Sequence, residues 1–561
     1  MSERVVIGSG AVKAQVFEGS RDVERIINKA LSYHVYGSEH MNEKGAATGW
    51  DGMSSFYSFR KKQFPAGFAR SVVTSLRKKG YNVIWKQRQA PEPLGPLKPK
   101  VDDFPEDPRY SYQPETVNRL VKYQKIIAKA ATGAGKSRIA RLAHKRIGRK
   151  TLFLTTRGIL MHQMKEGYEE SIGEKAGIVG DGEWDEVNGF NVGMVQTLAQ
   201  ALEPADLKKE TERYFSNKEA ELDRDVERIK RARKRQGFAL GKIMDEIADY
   251  RDKFNESQPS SEEIEKIVRK RYERQKERNE KALKFLETVD LLILEEAHET
   301  GSDSYYKVCN ACKNAMYRLA LTGTAFQKSQ AEDNMRLMAV SGPIGIIISE
   351  KLLIDRGILA TPKFMFRDVT APTKLYRSTG YQRAYKFGIV ENQLRNEDAV
   401  MHATHLSSFG LTSMMLVGQK NHGKILKSML EDAGLRAEFI LGENSQKQRQ
   451  AALNKLGQGK IDVLIGTTIL DVGVDVPSVG AVFLLGGGKD EVSHRQRIGR
   501  GLRAKKSGPN ICFVFDYLDR KNKHLKEHAA TRLKIIKDTP GFRENIVENL
   551  EPEKFGFERA A

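Results

Sequence analysis

Cysteine is scarce: three in 561 residues cannot build a disulfide framework, which places the chain in a reducing, cytosolic compartment. No charge-free apolar run approaches the ~18 residues of a membrane span, and the first ten residues, MSERVVIGSG, lack an apolar signal core. Neither membrane insertion nor secretion is expected. An acidic surplus is also missing, because Lys and Arg number 94 against 73 Asp and Glu. The formal charge of +21 calls for an anionic partner, with nucleic acid ahead of an acidic membrane surface. No fixed-period repeat is present.

Proline is thin except in one place: six of 17 fall between Pro91 and Pro108, a pattern that reads as a stiff linker over 91–109. Ahead of it, residues 1–90 carry 15 Lys and Arg against 7 Asp and Glu, or +8, and are expected to form a small basic α/β module. Behind it, short apolar runs such as TLFLTT and LLIL alternate with amphipathic stretches over 110–345 and again over 346–540. Buried parallel strands with crossover helices are the natural reading. Residues 541–561 are left as a C-terminal tail.

Between two of those runs, residues 203–287 hold 23 Lys and Arg, 21 Asp and Glu, two Gly and two Pro. Such a stretch is strongly helical, and SQPSS at 257–261 marks a turn, so a helical hairpin inserted in the first α/β domain is expected. It reads either as a solvated, salt-laced arm or as an arm touching duplex or a partner. Its charges nearly cancel, so the remaining surplus of +19 lies elsewhere.

The segment KIIAKAATGAGKSRIARLAHK has the order strand, glycine-containing loop, helix. That is the order of a phosphate-binding P-loop. Thr132, Gly133, Ala134 and Gly135 would turn the backbone so that N–H groups face phosphate oxygens. Lys136 would reach the β- and γ-phosphates of ATP and the Ser137 hydroxyl would ligate Mg²⁺. Ala130 stands at the motif's first position in place of Gly. Further on, LLILEEAHET places Glu295 and Glu296 at the carboxyl end of an apolar strand, where parallel sheets bind ligands. Glu295 is placed to hold Mg²⁺, directly or through water, and Glu296 to act as general base toward the attacking water.

P-loop, EEAH, LTGTAF at 321–326 and HRQRIGRGLR at 494–503, in that order, resemble the superfamily 2 helicases and translocases over about residues 110–520. The likeness is nearest to the DEAH-type group of UvsW-like branch-migration helicases, XPB-like enzymes and RecG. It implies two RecA-like α/β domains in tandem with parallel sheets and ATP between them. It also implies a nucleic-acid-dependent ATPase that remodels branched DNA in recombination and repair, in the cytoplasm of a bacterial host if the gene is a phage's. Alternatives are a duplex translocase without unwinding, an RNA helicase, and an ATP-gated DNA clamp with poor turnover.

By the same resemblance Gln113, ahead of the P-loop, looks like the residue that reads adenine. Thr155, Thr156 and Arg157 with Gln163, then Gln196 and Thr197, look like strand-binding motifs, and Thr322 and Thr324 look like the motif coupling nucleotide state to strand grip. SMMLVGQKNHGKIL resembles motif IV; Thr467, as a strand contact, and Gly473 and Asp475, near the nucleotide, belong to a motif V likeness. Gln496 would face the γ-phosphate while Arg500 and Arg503 act as arginine fingers; His298 either couples the site to these motifs or packs between domains. Two departures stand out: Glu295 replaces the usual Asp and is one methylene longer, and Ala325 replaces Pro.

In the basic module Trp50, Phe56, Tyr57, Phe59 and Phe64 interleave with Arg60, Lys61, Lys62, Arg70, Arg77, Lys78 and Lys79. Aromatics can stack on bases while cations hold phosphates, so Arg60, Lys61 and Lys62 are candidate duplex-DNA contacts. The same aromatics could instead form the module's core, and Trp50 is expected there. Cys309 and Cys312 form CNAC, but with only Cys512 besides, no structural zinc is expected; the pair reads as small buried hydrophobes on a helix.

Overall fold

The computed structural model describes residues 3–36, 38, 50–102, 107–326, 330–467, 479–505 and 507–559, excluding the side chains of Gln446 and Arg500. The module comes first, as a four-stranded sheet in the order Gln63–Pro65, Lys13–Glu18, Arg4–Ser9, Asn82–Gln87. Strand alternation sends Val5, Ile7, Ala14, Val16 and Val83 to one face, where helices Arg21–Ala30 and Ala69–Lys78 bury Val23, Ile27, Val72 and Leu76 against them. Tyr57 and Phe64 join that core. Trp50 does not: it is 38% exposed and its indole donates to Met53 O. The strand it precedes, Met53–Ser55, pairs among the described residues with Ser32–His34 alone, in a separate ribbon outside the packed layer.

The first RecA-like domain is an eight-stranded sheet. Its order is Glu183–Asp185, Gly177–Gly180, Phe190–Met194, Thr151–Thr155, Leu291–Leu294, Tyr317–Thr322, Lys125–Ala130, Ile344–Ile348. Only the Glu183–Asp185 edge is antiparallel. Central strands such as LLIL are buried along their whole length, as helices on both faces require. The second domain is a parallel six-stranded sheet in the order Thr361–Asp368, Ile511–Leu518, Ala481–Leu484, Ser413–Leu416, Val463–Gly466, Ala437–Ile440.

Three segments differ from expectation. The charged insertion is three helices, Leu207–Arg235, Leu240–Glu256 and Ser261–Glu287. Gly237, in a left-handed conformation at φ 78°, ends the first of them, and Val226, Ile243 and Ile247 make a small core between the first two. The last helix begins at a Ser260–Glu263 capping box. It is anchored by Gln275, whose Nε2 donates to Gln200 O and Glu203 O, and by Asn279, whose Nδ2 donates to Ala201 O. The Gln200 and Ala201 carbonyls close the helix Val195–Ala201, and Glu203 follows it.

The proline-rich segment is not a free spacer. Leu94 N donates to Ile147 O, Arg149 Nε to Glu92 O, and Tyr317 OH to Pro91 O, so it lies as a strap on the first domain. The C-terminal segment packs on the second domain: Val547 N donates to Phe364 O, and Phe555 and Phe557 lie against Phe513.

The module also docks on the first domain. Ala339, Met335 and Met338 complete its core, and a Cβ on Gly67 would lie 2.0 Å from Met338 O. Arg70 stacks over Tyr123 at 4.0 Å and donates to Tyr123 O, while Lys125 Nζ donates to Gly10 O at 3.0 Å. Burial, with the nearby Arg318 and Arg70 charges, holds the Lys125 amine down to about 7.

Candidate nucleotide and nucleic-acid sites

Three parallel neighbours, Leu291–Leu294, Tyr317–Thr322 and Lys125–Ala130, end side by side. Their carboxyl ends therefore gather the P-loop, the EEAH loop and LTGTA into one place. Gly133 and Gly135 have φ of 88° and 75°, the left-handed conformations that turn the loop and open the helix Lys136–Ile147. Tyr112 OH and Gln113 Nε2 both donate to Ala134 O at 3.1 Å, and Gln113 Oε1 accepts from Arg138. The Gln113 amide thus braces the loop from behind. Tyr112 and Arg138, not marked by the motif pattern, share that task.

Glu295 is buried, and its Oε2 has no hydrogen-bond partner among the described residues. Burial pushes its carboxyl up to about 7, Lys136 opposes this, and the Glu296 charge adds to it. A buried carboxyl oxygen without a partner, at the strand end that gathers the P-loop, suits a hard divalent cation, and Ser137 is exposed at the start of the helix after that loop. The residues present fit Mg²⁺ on that ground.

Glu296 sits in a left-handed conformation, φ 44°, a strained backbone of the kind found at functional sites. Oε1 lies 3.8 Å from Lys136 Nζ and accepts from Gln496 Nε2 at 3.1 Å; Oε2 lies 3.4 Å from His298 Nδ1. His298 Nδ1 is also 3.2 Å from Thr322 Oγ1, which in turn accepts from Thr324 N. Thr324 Oγ1 is buried and without a partner among the described residues. Lys136, Glu296, His298, Thr322, Thr324 and Gln496 are therefore one connected group drawn from both domains.

Gln496 comes from the helix Glu491–Gly501 of the second domain, whose Gly499 touches Thr132 of the P-loop. Leu359 contacts Gly133, and the Arg503 backbone bridges to Leu359. Arg503 thereby comes within one residue of a P-loop contact. The Arg500 side chain and all of Gly473 and Asp475 lie outside the described residues.

The strand-binding candidates separate. Thr156 Oγ1 donates to Glu299 Oε2 at 2.5 Å, Arg157 lies 3.6 Å from Glu299 Oε1, and Gln196 Nε2 donates to Thr156 O. Glu299, unremarked in the sequence, links these loops to the EEAH loop; its place directly after His298 of EEAH was the available signal. Thr155 is 1% exposed and its hydroxyl accepts from Arg157 N, so it shapes the turn and cannot touch a strand. Thr467 is buried too, and its hydroxyl lacks a partner among the described residues. Thr197 lines a depression with Trp184, Gln200 and Arg278 of the insertion.

Arg60, Lys61 and Lys62 are exposed on the turn between Ser58 and Gln63, but Lys62 is held 3.0 Å from the buried Glu24. Arg70 is spent on docking the module. Cys309 and Cys312 are buried, and Arg318, fully buried, donates to both of their carbonyls. Among the described residues no group of three His, Cys, Asp or Glu could hold a metal, and no helix is long and apolar enough to cross a membrane.

Residues 107–327 match the family described as "Type III restriction enzyme, res subunit", and residues 398–505 match "Helicase conserved C-terminal domain". Among curated proteins, a putative ATP-dependent helicase, IRC3, of Saccharomyces cerevisiae is 24% identical over 276 residues, 47% of this chain and 39% of that one. Putative helicase 22 of Sulfolobus islandicus filamentous virus is 23% identical over 44% of this chain and 46% of its own. The chain thus spans less than half of these relatives' length. Among solved structures, UvsW of phage T4 aligns over 98% of this chain and 99% of its own at 15% identity, with a TM-score of 0.42. The helicase MrfA bound to DNA and AMPPNP aligns over 82% and 56% at 12% identity, with a TM-score of 0.47.

Proposed function

This chain belongs to the superfamily 2 helicases, and on that premise we propose an ATP-driven motor that remodels branched DNA. Its work would be branch migration of junctions and unwinding of forks or D-loops, in recombination, repair and replication of a phage-like genome, within a bacterial cytoplasm. One observation carries the reading: Gln496 of the second domain donates to Glu296 of the first, beside Lys136. A nucleotide site assembled from both domains makes turnover depend on their closure, and closure is what moves a strand.

In this mechanism Lys136 and the P-loop amides hold the phosphates, and Gln113 and Tyr112 keep the loop in shape. Glu296, fixed by Gln496 and His298, takes the proton of the attacking water. Arg500 and Arg503 stabilise charge on the transferred phosphoryl group, a contribution of ~10³ or more in rate. Mg²⁺, held by Ser137 and Glu295, would neutralise phosphate charge; the extra methylene of Glu295 favours contact through water. Thr156, Arg157, Gln196 and Thr197 grip the phosphate backbone, and Glu299 and His298 carry nucleotide state to them.

DNA is favoured by the restriction-enzyme family match and by a +8 module in front of the motor. A second reading, RNA unwinding, draws on relatives named as RNA helicases, such as DEAD-box ATP-dependent RNA helicase 28 of rice, 28% identical over 28% of this chain. ATP hydrolysis with Mg²⁺ distinguishes them when compared without nucleic acid and with single-stranded DNA, duplex, four-way junction and RNA. Strongest stimulation by the junction, lost in Lys136→Ala, is expected. Preferential stimulation by RNA would move the chain to the second reading, and equal low rates on all would leave a nucleotide-gated clamp.

A further inference from the structure

The outer face of the module's sheet takes part in nothing described above. Helices cover the inner face, and docking on the first domain uses Gly10, Gly67 and Arg70. On the outer face Phe17 is 64% exposed. The register shifts between Val6 and Ile7, which pair with Glu18 and Val16, so Phe17 is a bulged residue, a device that re-aims a side chain. Its ring is laid over the neighbouring strand: a Cβ on Gly8 would lie 2.3 Å from Phe17 Cε2. One side of the ring meets backbone and the other meets water. Val6, on the same face, is covered, and Ile84, its partner in register, is 36% exposed.

Around this apolar centre stand Lys13, Lys86 and Arg4, the last 3.4 Å from Glu18, together with Gln15 and Gln63, which bond to each other at 3.1 Å. Lys86 pairs in register with Gly8, directly beside the ring. A single flat ring with a cationic rim is too small and too charged for a protein core contact, and it matches a ligand with a π-face and flanking negative charge.

We propose that Phe17 is a stacking platform for an unpaired base of single-stranded DNA, with Lys13 and Lys86 taking the adjacent phosphates. The proposal deepens the DNA-remodelling reading and rests on it for the choice of DNA. It gives the module a hold on a strand already separated, distinct from the cationic turn at Arg60 and Lys61.

The test uses the full chain, a labelled oligo(dT), an abasic strand of the same length, and oligo(rU), with binding read by fluorescence anisotropy. Phe17→Ala is expected to weaken oligo(dT) binding by roughly 5- to 100-fold, in line with one stacked base, while leaving the abasic strand unchanged. Phe17→Leu, which keeps an apolar cover over Gly8, should lose affinity as alanine does. Phe17→Trp should bind like wild type, with its emission quenched by oligo(dT). Wild-type affinity in Phe17→Ala or Phe17→Leu, or an equal loss on the abasic strand, would overturn the platform. Dependence on Phe17 with oligo(rU) but not oligo(dT) would overturn its assignment to DNA. DNA-stimulated ATP hydrolysis in the same samples separates the failures: no stimulation in wild type sinks the motor, whereas a stimulated wild type with indifferent Phe17 variants sinks only the platform.

Discussion

The first RecA-like domain meets its neighbours at two seams built on opposite terms. Toward the second domain the Gln496 amide meets the Glu296 carboxylate and the Leu359 side chain lies on Gly133, with Glu295 Oε2 and Thr324 Oγ1 buried and unsatisfied beside them among the described residues. Toward the N-terminal module, Gly67 is pressed on the carbonyls of Met338 and Ala339, and two cations, the buried Lys125 and the half-buried Arg70, each donate to a backbone oxygen. Spare hydrogen-bonding capacity in a buried place is costly unless a ligand uses it. The first seam is made to be remade around a nucleotide; the second is made once, during folding.

The comparison can be broken by variants that cross between the two behaviours. Lys136→Ala should cut ATP hydrolysis by ~10³-fold or more while moving the melting transition little, since the amine sits at a half-open loop and not in a core. Phosphate release and calorimetry on the same sample check both halves. Gly67→Val should do the reverse: its side chain would enter the Met338 backbone, costing about 2–4 kcal/mol of stability. Basal hydrolysis should survive, and limited proteolysis should newly cut the 91–109 strap. If turnover fell as far as stability did, the two seams would not be independent.

Gln496→Ala should lower kcat about tenfold without shifting the melting transition, the value of one hydrogen bond, ~1.4 kcal/mol, felt during closure. The smallest effect belongs to Lys125. The unfolded chain holds this proton to pH ~10.4, but the folded chain releases it near 7, so between those values the unfolded state binds more protons and stability rises with pH. The rise from pH 7 to 8 should be ~1 kcal/mol, and Lys125→Met should flatten it in denaturant titrations at the two pH values.

The cleft was legible in the sequence because phosphate chemistry demands glycine, lysine and carboxylate at fixed spacings, and those spacings survive as short words. The module seam was not: Gly67 reads as any loop glycine, and the carbonyl it faces is some 270 residues away. The insertion's first turn was missed because Gly237 is a lone punctuation mark in a run of helix formers, while Ile243 and Ile247 are too sparse to announce a core. Thr155 and Thr156 looked equivalent in TTRG, yet Thr155 ends a strand buried along its whole length while Thr156, the first residue past it, reaches Glu299. In the module the aromatics adjacent to cations drew the eye, although Tyr57 and Phe64 are core.

The anchoring of the insertion has a mechanical consequence. Gln275 and Asn279 bind the last insertion helix to the carbonyl end of Val195–Ala201, the helix that carries Gln196 and Thr197. From Gln275 back to Ser261 that helix runs about 20 Å at 1.5 Å per residue, so a tilt of ~10° in the short helix sweeps the far end through ~3.5 Å. On the function proposed above, the arm is a lever whose fulcrum is the helix assigned to strand grip, and a push on its tip and a step of the motor would become the same displacement read at two lengths.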